Sequence, residues 1–232
     1  MVKIEKKTLT EQTVEYILEM INSDRLSVGM EVPSEMQVIR ELGVSRGVVR
    51  EAFKSLEILG VLQVESGKRP KVAEFNPKAL QIIFGFALAT EQVETTHILG
   101  FRRLMEVSSV ALAARNGTEE DFAEIRHHMD HIRTDIADIP RFLEHDIAFH
   151  IALADATKSP MYSIMLKALR SAVARTIIDG LYAERLRNHS EEIIELHQAI
   201  TDAVCNRDEQ GAMKAMDNHF DSVIEDLLRA GG

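Results

Sequence analysis

A chain of 232 residues has room for one large domain or two modest ones, and its 45% hydrophobic content excludes a disordered polymer. No apolar run approaches the roughly 20 residues of a membrane span, the opening MVKIEKKTLTEQ lacks the apolar centre of a secretory signal, and a single cysteine, Cys205, excludes a disulfide framework. The sequence therefore reads as a cytoplasmic protein with no membrane partner. Its net charge of −10 opposes nucleic-acid binding only until it is divided: residues 1–74 carry 11 Lys/Arg against 12 Asp/Glu, a balance of −1, leaving −9 for the rest.

The first helix is predicted over 10–23, with Val14, Ile17, Leu18 and Ile21 at helical spacing and Thr10 as its N-cap. A turn follows at Ser27–Met30. Ser34 caps a second helix whose Val38, Ile39 and Leu42 face inward, and Gly43 ends it. Ser45 caps a third helix, from Arg46 to Leu59, which places Val49, Phe53 and Leu56 on its core side and stops at Gly60. Val61–Val64 and Pro70–Ala73 then form a short hairpin turning at Ser66-Gly67. This layout is a winged helix-turn-helix over residues 1–74.

After Asn76-Pro77 the pattern is helical to the end. Residues 75–94 read as a linker and a first helix, and 95–232 as a helical domain. About seven helices are predicted, over 77–90, 95–116, 118–136, 139–157, 160–181, 190–206 and 208–229, with Gly117-Thr118 and Ser159-Pro160 starting two of them and Gly180 closing one. The fold class is mainly α: the winged helix-turn-helix with its small β-hairpin, then an antiparallel all-α bundle.

Two constellations carry chemistry. Arg46 and Arg50 lie one turn apart at the start of the third helix, where guanidinium forks can reach guanine edges in a major groove, and Lys68 and Arg69 sit at the hairpin tip. The same arginines also suit an ordinary solvated helix face. In the C-terminal half, Asp146 and His150 share a helix face at i and i+4, while His197 and His219 each lie among apolar residues of other helices. A carboxylate and three imidazoles can close around a divalent cation, or they can be separate polar residues. His127, His128, His131, His145 and His189 show no comparable arrangement and read as surface residues, while His97 sits near a helix start. Arg102 is either a surface partner of Glu106 at i+4 or a cavity residue that would grip a carboxylate.

The stretch VPSEMQVIRELGVSRGVVREAFKSLEILGVLQVESGKRPKV resembles the DNA-binding domain of GntR-type bacterial regulators, and its wing resembles that of the FadR subfamily. The resemblance implies a DNA interface of Ser34, Ser45, Arg46, Gly47 and Arg50, with Gly67, Lys68 and Arg69 in the wing. Met36 stands where the family usually has an arginine, and Gly47 replaces the usual polar contact residue. Phe101–Glu106 with Ala111–Ala114, and Asp146–His150, are similar to the C-terminal ligand-binding domain of the FadR subfamily. That similarity implies Asp146, His150, His197 and His219 as ligands of a divalent ion, zinc foremost, with nickel, manganese or iron open. It also implies Arg102 as the partner of a small carboxylate effector. One departure is Ser159, where the family often has Asn in a Gly-Asn turn. The expected function is a homodimeric repressor on a palindromic operator, not an enzyme. The alternatives are a metal-dependent hydrolase, for which no general-base motif is evident, and a regulator with a purely structural metal.

Overall fold

The computed structural model describes the backbone of residues 7–174 and 178–230, with side chains in those spans except at 171–188 and 226–230. In chain order the elements are α1 (Leu9–Ser23), α2 (Glu35–Leu42), α3 (Arg46–Ile58), β1 (Leu62–Gln63), β2 (Lys71–Val72), α4 (Lys78–Ala89), α5 (Thr95–Asn116), α6 (Glu119–Thr134), α7 (Ile139–Ala156), α8 (Pro160–Ala174), α9 (Ile178–Cys205) and α10 (Glu209–Ala230). They divide into two compact units, the first ending at Ala79 and the second beginning at Leu80.

In the first unit α1 and α2 pack on α3. Ile17, Val38, Val49, Ala52, Phe53 and Leu56 form its core with Val32 and Leu62. The helix starts are chemically specified. Ser34 accepts from the Gln37 amide while the Gln37 side chain accepts from the Ser34 amide, and Ser45 accepts from Val48 N. Gly43 closes α2 in the left-handed region at φ 66°, a conformation that suits glycine at the bend before α3.

Two expectations for α1 are corrected. Its N-cap is Thr8, in a reciprocal box with Glu11, because the acidic partner must stand three residues on; the Thr10 hydroxyl instead donates to Glu51 at 3.2 Å. Leu18 is 40% exposed, and the buried place beside Ile17 is taken by Thr13, whose hydroxyl satisfies itself on Leu9 O at 2.7 Å.

β1 and β2 pair antiparallel, Leu62 with Val72 and Gln63 with Lys71. The chain before α2, expected to be a plain turn, also joins this sheet: Glu31 bridges Lys71, Gly29 N donates to Val72 O, Val72 N to Met30 O and Val32 N to Pro70 O, each at 2.9 Å.

The second unit is helical throughout its described residues. α5, α9 and α10 pack together, α6 lies against α7 and α9, and α8 against α5 and α7. Phe122, Ile125, Met129, Phe142, Phe149, Met216 and Phe220 fill the core between them. The predicted break after Gly180 is not there. α8 ends at Ala174, residues 175–177 lie outside the described residues, and α9 runs from Ile178 through Gly180 to Cys205. A helical glycine costs only about 1 kcal/mol against alanine, so it weakens a helix without having to end it. The interruption is one residue long instead, a kink at His189 (φ −134°, ψ 30°).

Gly117 marks the tight corner between α5 and α6. A Cβ there would stand 2.5 Å from Phe122 Cε1 and 2.6 Å from Ala113 O, and Phe122 is fully buried. Gly117→Ala is expected to cost about 1–3 kcal/mol through overpacking. Thermal melts by circular dichroism check this, and an unchanged midpoint contradicts it. None of the described helices is long and apolar enough to cross a membrane.

Candidate nucleic-acid interface and metal centre

The buried side of α3 is set by Val49, Ala52, Phe53 and Leu56, which leaves Arg46, Gly47 and Arg50 on its exposed side. Ser45 is also exposed, and among the described residues neither arginine has an ion-pair partner. Their guanidinium groups are therefore available to an incoming anion. Ser34 is half-buried and occupied as a cap, and Met36 is 58% exposed. Gly67 turns the wing at φ 75°. Lys68 and Arg69 are exposed there and paired only loosely, with Glu65 and Glu31 (side chains 70% and 60% exposed). Such pairs exchange readily for phosphate.

The second site lies among α5, α7, α8, α9 and α10. His150, His197 and His219 are all buried, and one ring nitrogen from each lies within 4.8 Å of the others. Zinc ligands at 2.0–2.1 Å from a common centre sit about 3.4 Å apart, so side-chain rotations of about 1 Å suffice to close the set. Asp146 adjoins this group, with Oδ1 3.0 Å from His197 Nε2 and 3.8 Å from His150 Nε2.

Hydrogen bonding fixes the tautomers. His197 Nδ1 lies 2.7 Å from Ile193 O, which can only accept, so Nδ1 carries the proton. In a neutral ring the lone pair would then lie on Nε2, the nitrogen that faces the Asp146 carboxylate. Burial alone would raise the Asp146 carboxyl, yet Arg170 at 3.0 Å and the His197 contact hold it well below the usual carboxylate range. A lone pair and a carboxylate oxygen 3.0 Å apart repel unless a proton or a metal ion lies between them. His150 is similar. Its Nδ1 sits 2.6 Å from Glu106 Oε2, too bent for a good hydrogen bond, and its buried Nε2 makes none at all. Burial and then Arg170 push the His150 imidazolium down to about 4, leaving a neutral ring, which is the ligating form. Oxygen partners at Nδ1 with Nε2 turned inward are the orientation that metal-binding histidines adopt. The donor set fits a borderline divalent ion.

Arg102 is buried, with Nε 2.8 Å from Glu106 Oε1, so the pair is not a surface one. Burial opposes ionisation of Glu106, but Arg102 and His150 lower it to about 2. Sequence reasoning names Glu106 only as the i+4 partner of Arg102, and does not name Arg170. Arg170 does follow Leu166 and Leu169 on a buried helix face, a readable signal for a charged group turned inward. An open groove of about 390 Å³ beside Asp202, Asn206, Asp208 and Lys214 does not include these histidines.

The surface reading needs correction for His128, His131 and His145, which are half-buried, while His127 is exposed as expected. His127, His128 and His131 of α6 gather with His145 of α7, and the His131 and His145 rings stack at 4.2 Å. Their spacing on α6, at i, i+1 and i+4, is visible in the sequence, but the arrival of His145 depends on the α6–α7 hairpin.

Residues 9–72 match the bacterial regulatory proteins of the gntR family, and residues 97–222 match the FCD domain. The chain belongs to the gntR family and carries an FCD domain. It is 30% identical over 226 residues to the uncharacterized HTH-type transcriptional regulator YcbG of Bacillus subtilis, covering 97% of this chain and 93% of that one. It is 29% identical over 231 residues to the HTH-type transcriptional repressor NanR of Cronobacter sakazakii, covering 94% and 85%. Streptococcus agalactiae GntR superposes with a TM-score of 0.67 at 24% identity, covering 92% and 98%, a likeness of fold. These proteins are regulators, not enzymes, which removes the hydrolase alternative. This gntR-family chain is a DNA-binding transcriptional regulator, and the histidine site lies inside its FCD domain.

Proposed function

We propose that the chain is a homodimeric repressor whose release from operator DNA is controlled by a small carboxylate metabolite bound beside a divalent metal, zinc foremost, and that it works in the cytoplasm. The observation that carries this reading is the burial of His150, His197 and His219 with one ring nitrogen from each within 4.8 Å of the others, and Asp146 Oδ1 3.0 Å from His197 Nε2. His150, His197 and His219, with Asp146, would hold the ion, which supplies Lewis acidity toward an anionic ligand. Asp146 and Glu106 are already matched by Arg170 and Arg102. A cation entering beside them brings charge that a further anion offsets, which favours a carboxylate as effector. Arg102 is the residue proposed to orient it. An effector can shift the protein off DNA only by binding one state more tightly than the other. Ile82, Ile83 and Phe86 of α4 are 62%, 56% and 61% exposed, an apolar face suited to a second copy.

In DNA reading, Arg46 and Arg50 are proposed to contact bases or phosphates from α3, with Ser34, Ser45, Gly47, Gly67, Lys68 and Arg69 completing the interface. Arg50→Ala is expected to weaken operator binding by about 1–3 kcal/mol, roughly 10–150-fold. Lys68→Ala should instead lower affinity evenly across sequences and reduce the salt slope by about 1. Fluorescence anisotropy with DNA from the gene's own upstream region tests both. Adding a panel of sugar acids, hydroxy acids and dicarboxylates to the zinc-loaded protein tests release. Failure to bind that DNA at any effector or metal level would sink the repressor reading.

A purely structural metal is favoured by one observation, the near-complete burial of all three histidines, at 1–5% exposure. The two readings part on whether loss of a ligand unfolds the domain or only silences its response.

A further inference from the structure

Away from the buried centre, α6 and α7 bring together a second set of donors. One ligand atom from each of His131, Asp135 and His145 lies within 4.8 Å of the others, and all three residues are half-buried, open to ions from solvent. His131 Nδ1 is 3.4 Å and His145 Nε2 3.9 Å from Asp135 Oδ2. Among the described residues Asp135 has no lysine or arginine partner; its only ion-pair neighbours are these two imidazoles.

The surrounding hydrogen bonds orient two of the rings, His128 and His145. Glu124 Oε1 accepts from His128 Nε2 at 3.1 Å, which leaves the lone pair of His128 on Nδ1. His128 Nδ1 lies 3.2 Å from His145 Nδ1, so His145 donates there and, in a neutral ring, would carry its lone pair on Nε2. That lone pair faces the Asp135 carboxylate. The order Glu124, His128, His145 is thus a relay that holds the last imidazole with its basic nitrogen toward the carboxylate and the neighbouring His131.

We propose that His131, Asp135 and His145 form a second divalent transition-metal site, a two-imidazole, one-carboxylate set suited to zinc. His131 would bind through Nδ1, His145 through Nε2 and Asp135 through a carboxylate oxygen, leaving a position for water. His128 and Glu124 are positioning residues that orient His145. The ion would tie the C-terminal end of α6 to α7. Imidazole with carboxylate donors suits zinc, nickel or copper better than magnesium or calcium.

The test is zinc stoichiometry of the full chain, measured by equilibrium dialysis at micromolar free zinc followed by elemental analysis. The wild-type protein is expected to hold two zinc ions per chain. The double variant His131→Ala/His145→Ala should hold one fewer, with an unchanged circular dichroism melt in the absence of zinc. His150→Ala/His197→Ala should lose the other ion. A surface double variant that keeps the wild-type stoichiometry and affinity overturns the proposal. If only the buried site is misread, the wild type holds one ion, which the surface variant loses and the buried variant keeps. His128→Ala is expected to weaken the surface ion roughly 10–100-fold without changing the zinc-free melt. An equal affinity in that variant removes the relay from the account.

Discussion

His197→Ala is expected to weaken zinc binding at the buried centre by more than roughly 100-fold, beyond the 10–100-fold that loss of a mere orienting partner costs. The reason is positional. His197 comes from α9, between the Asp146 carboxylate on α7 and His219 on α10, and its ring lies 5.8 Å from that of His150 and 4.8 Å from that of His219. Without it, Asp146 Oδ1 loses its neighbour at 3.0 Å and the proposed ion loses a nitrogen that comes from α9 between ligands on α7 and α10. Zinc competition against a chromophoric chelator reads the affinity, and a thermal melt of the same sample reads the fold. A sensor site predicts a folded domain that still binds DNA and no longer answers the effector. A structural site predicts a collapsed melt. Wild-type zinc affinity in this variant would exclude His197 as a ligand.

Glu106→Gln is the second large effect. Glu106 and Arg102 are 2% and 4% exposed and meet at 2.8 Å, and Glu106 also faces His150. The amide keeps the shape but removes the charge, stranding the Arg102 guanidinium in a dry interior. Breaking a buried pair on one side costs about 3–5 kcal/mol, a large share of the total stability of a domain. Urea unfolding should show a lower midpoint with an unchanged slope. A second variant, Arg102→Met with Glu106→Gln, removes both charges and should recover much of the loss, because two neutral side chains leave nothing uncompensated. A single variant as stable as wild type would mean that the pair is wet in solution.

The parts of this architecture legible in the sequence are those that neighbouring residues specify. Ser34 with Gln37, Ser45 before Arg46, and Gly43 at the bend define the helix-turn-helix within one short stretch, so local chemistry and fold agree. The buried histidines were legible for another reason, the resemblance to the FadR-type ligand-binding domain; the one-turn spacing of Asp146 and His150 and the apolar neighbours of His197 and His219 left separate polar residues open. What escaped was long-range. The pairing of Glu31 with Lys71 spans two helices and leaves no periodic trace in so short a strand. Arg170 follows an apolar helix face, but its partner is set only when α7 places Asp146 against it. His145 stands between Glu144 and Asp146 in the sequence and joins the α6 histidines only when α7 folds back along α6. The kink at His189, beside the predicted helix start at 190, is a single-residue event with no punctuating glycine or proline.

The three-way pairing at the base of the wing has a consequence for association kinetics and entropy. Residues 29–32 and β1 hold β2 from both sides, so the tip bearing Lys68 and Arg69 is mounted on a fixed base. Ordering a free loop on DNA would subtract about 1–2 kcal/mol per residue from the binding free energy. Here much of that ordering occurs when the domain folds. The wing is thus preorganised: amide exchange at Val72 should be slow before any operator is present, and loosening the 29–32 stretch should weaken DNA binding without touching a single DNA-facing side chain.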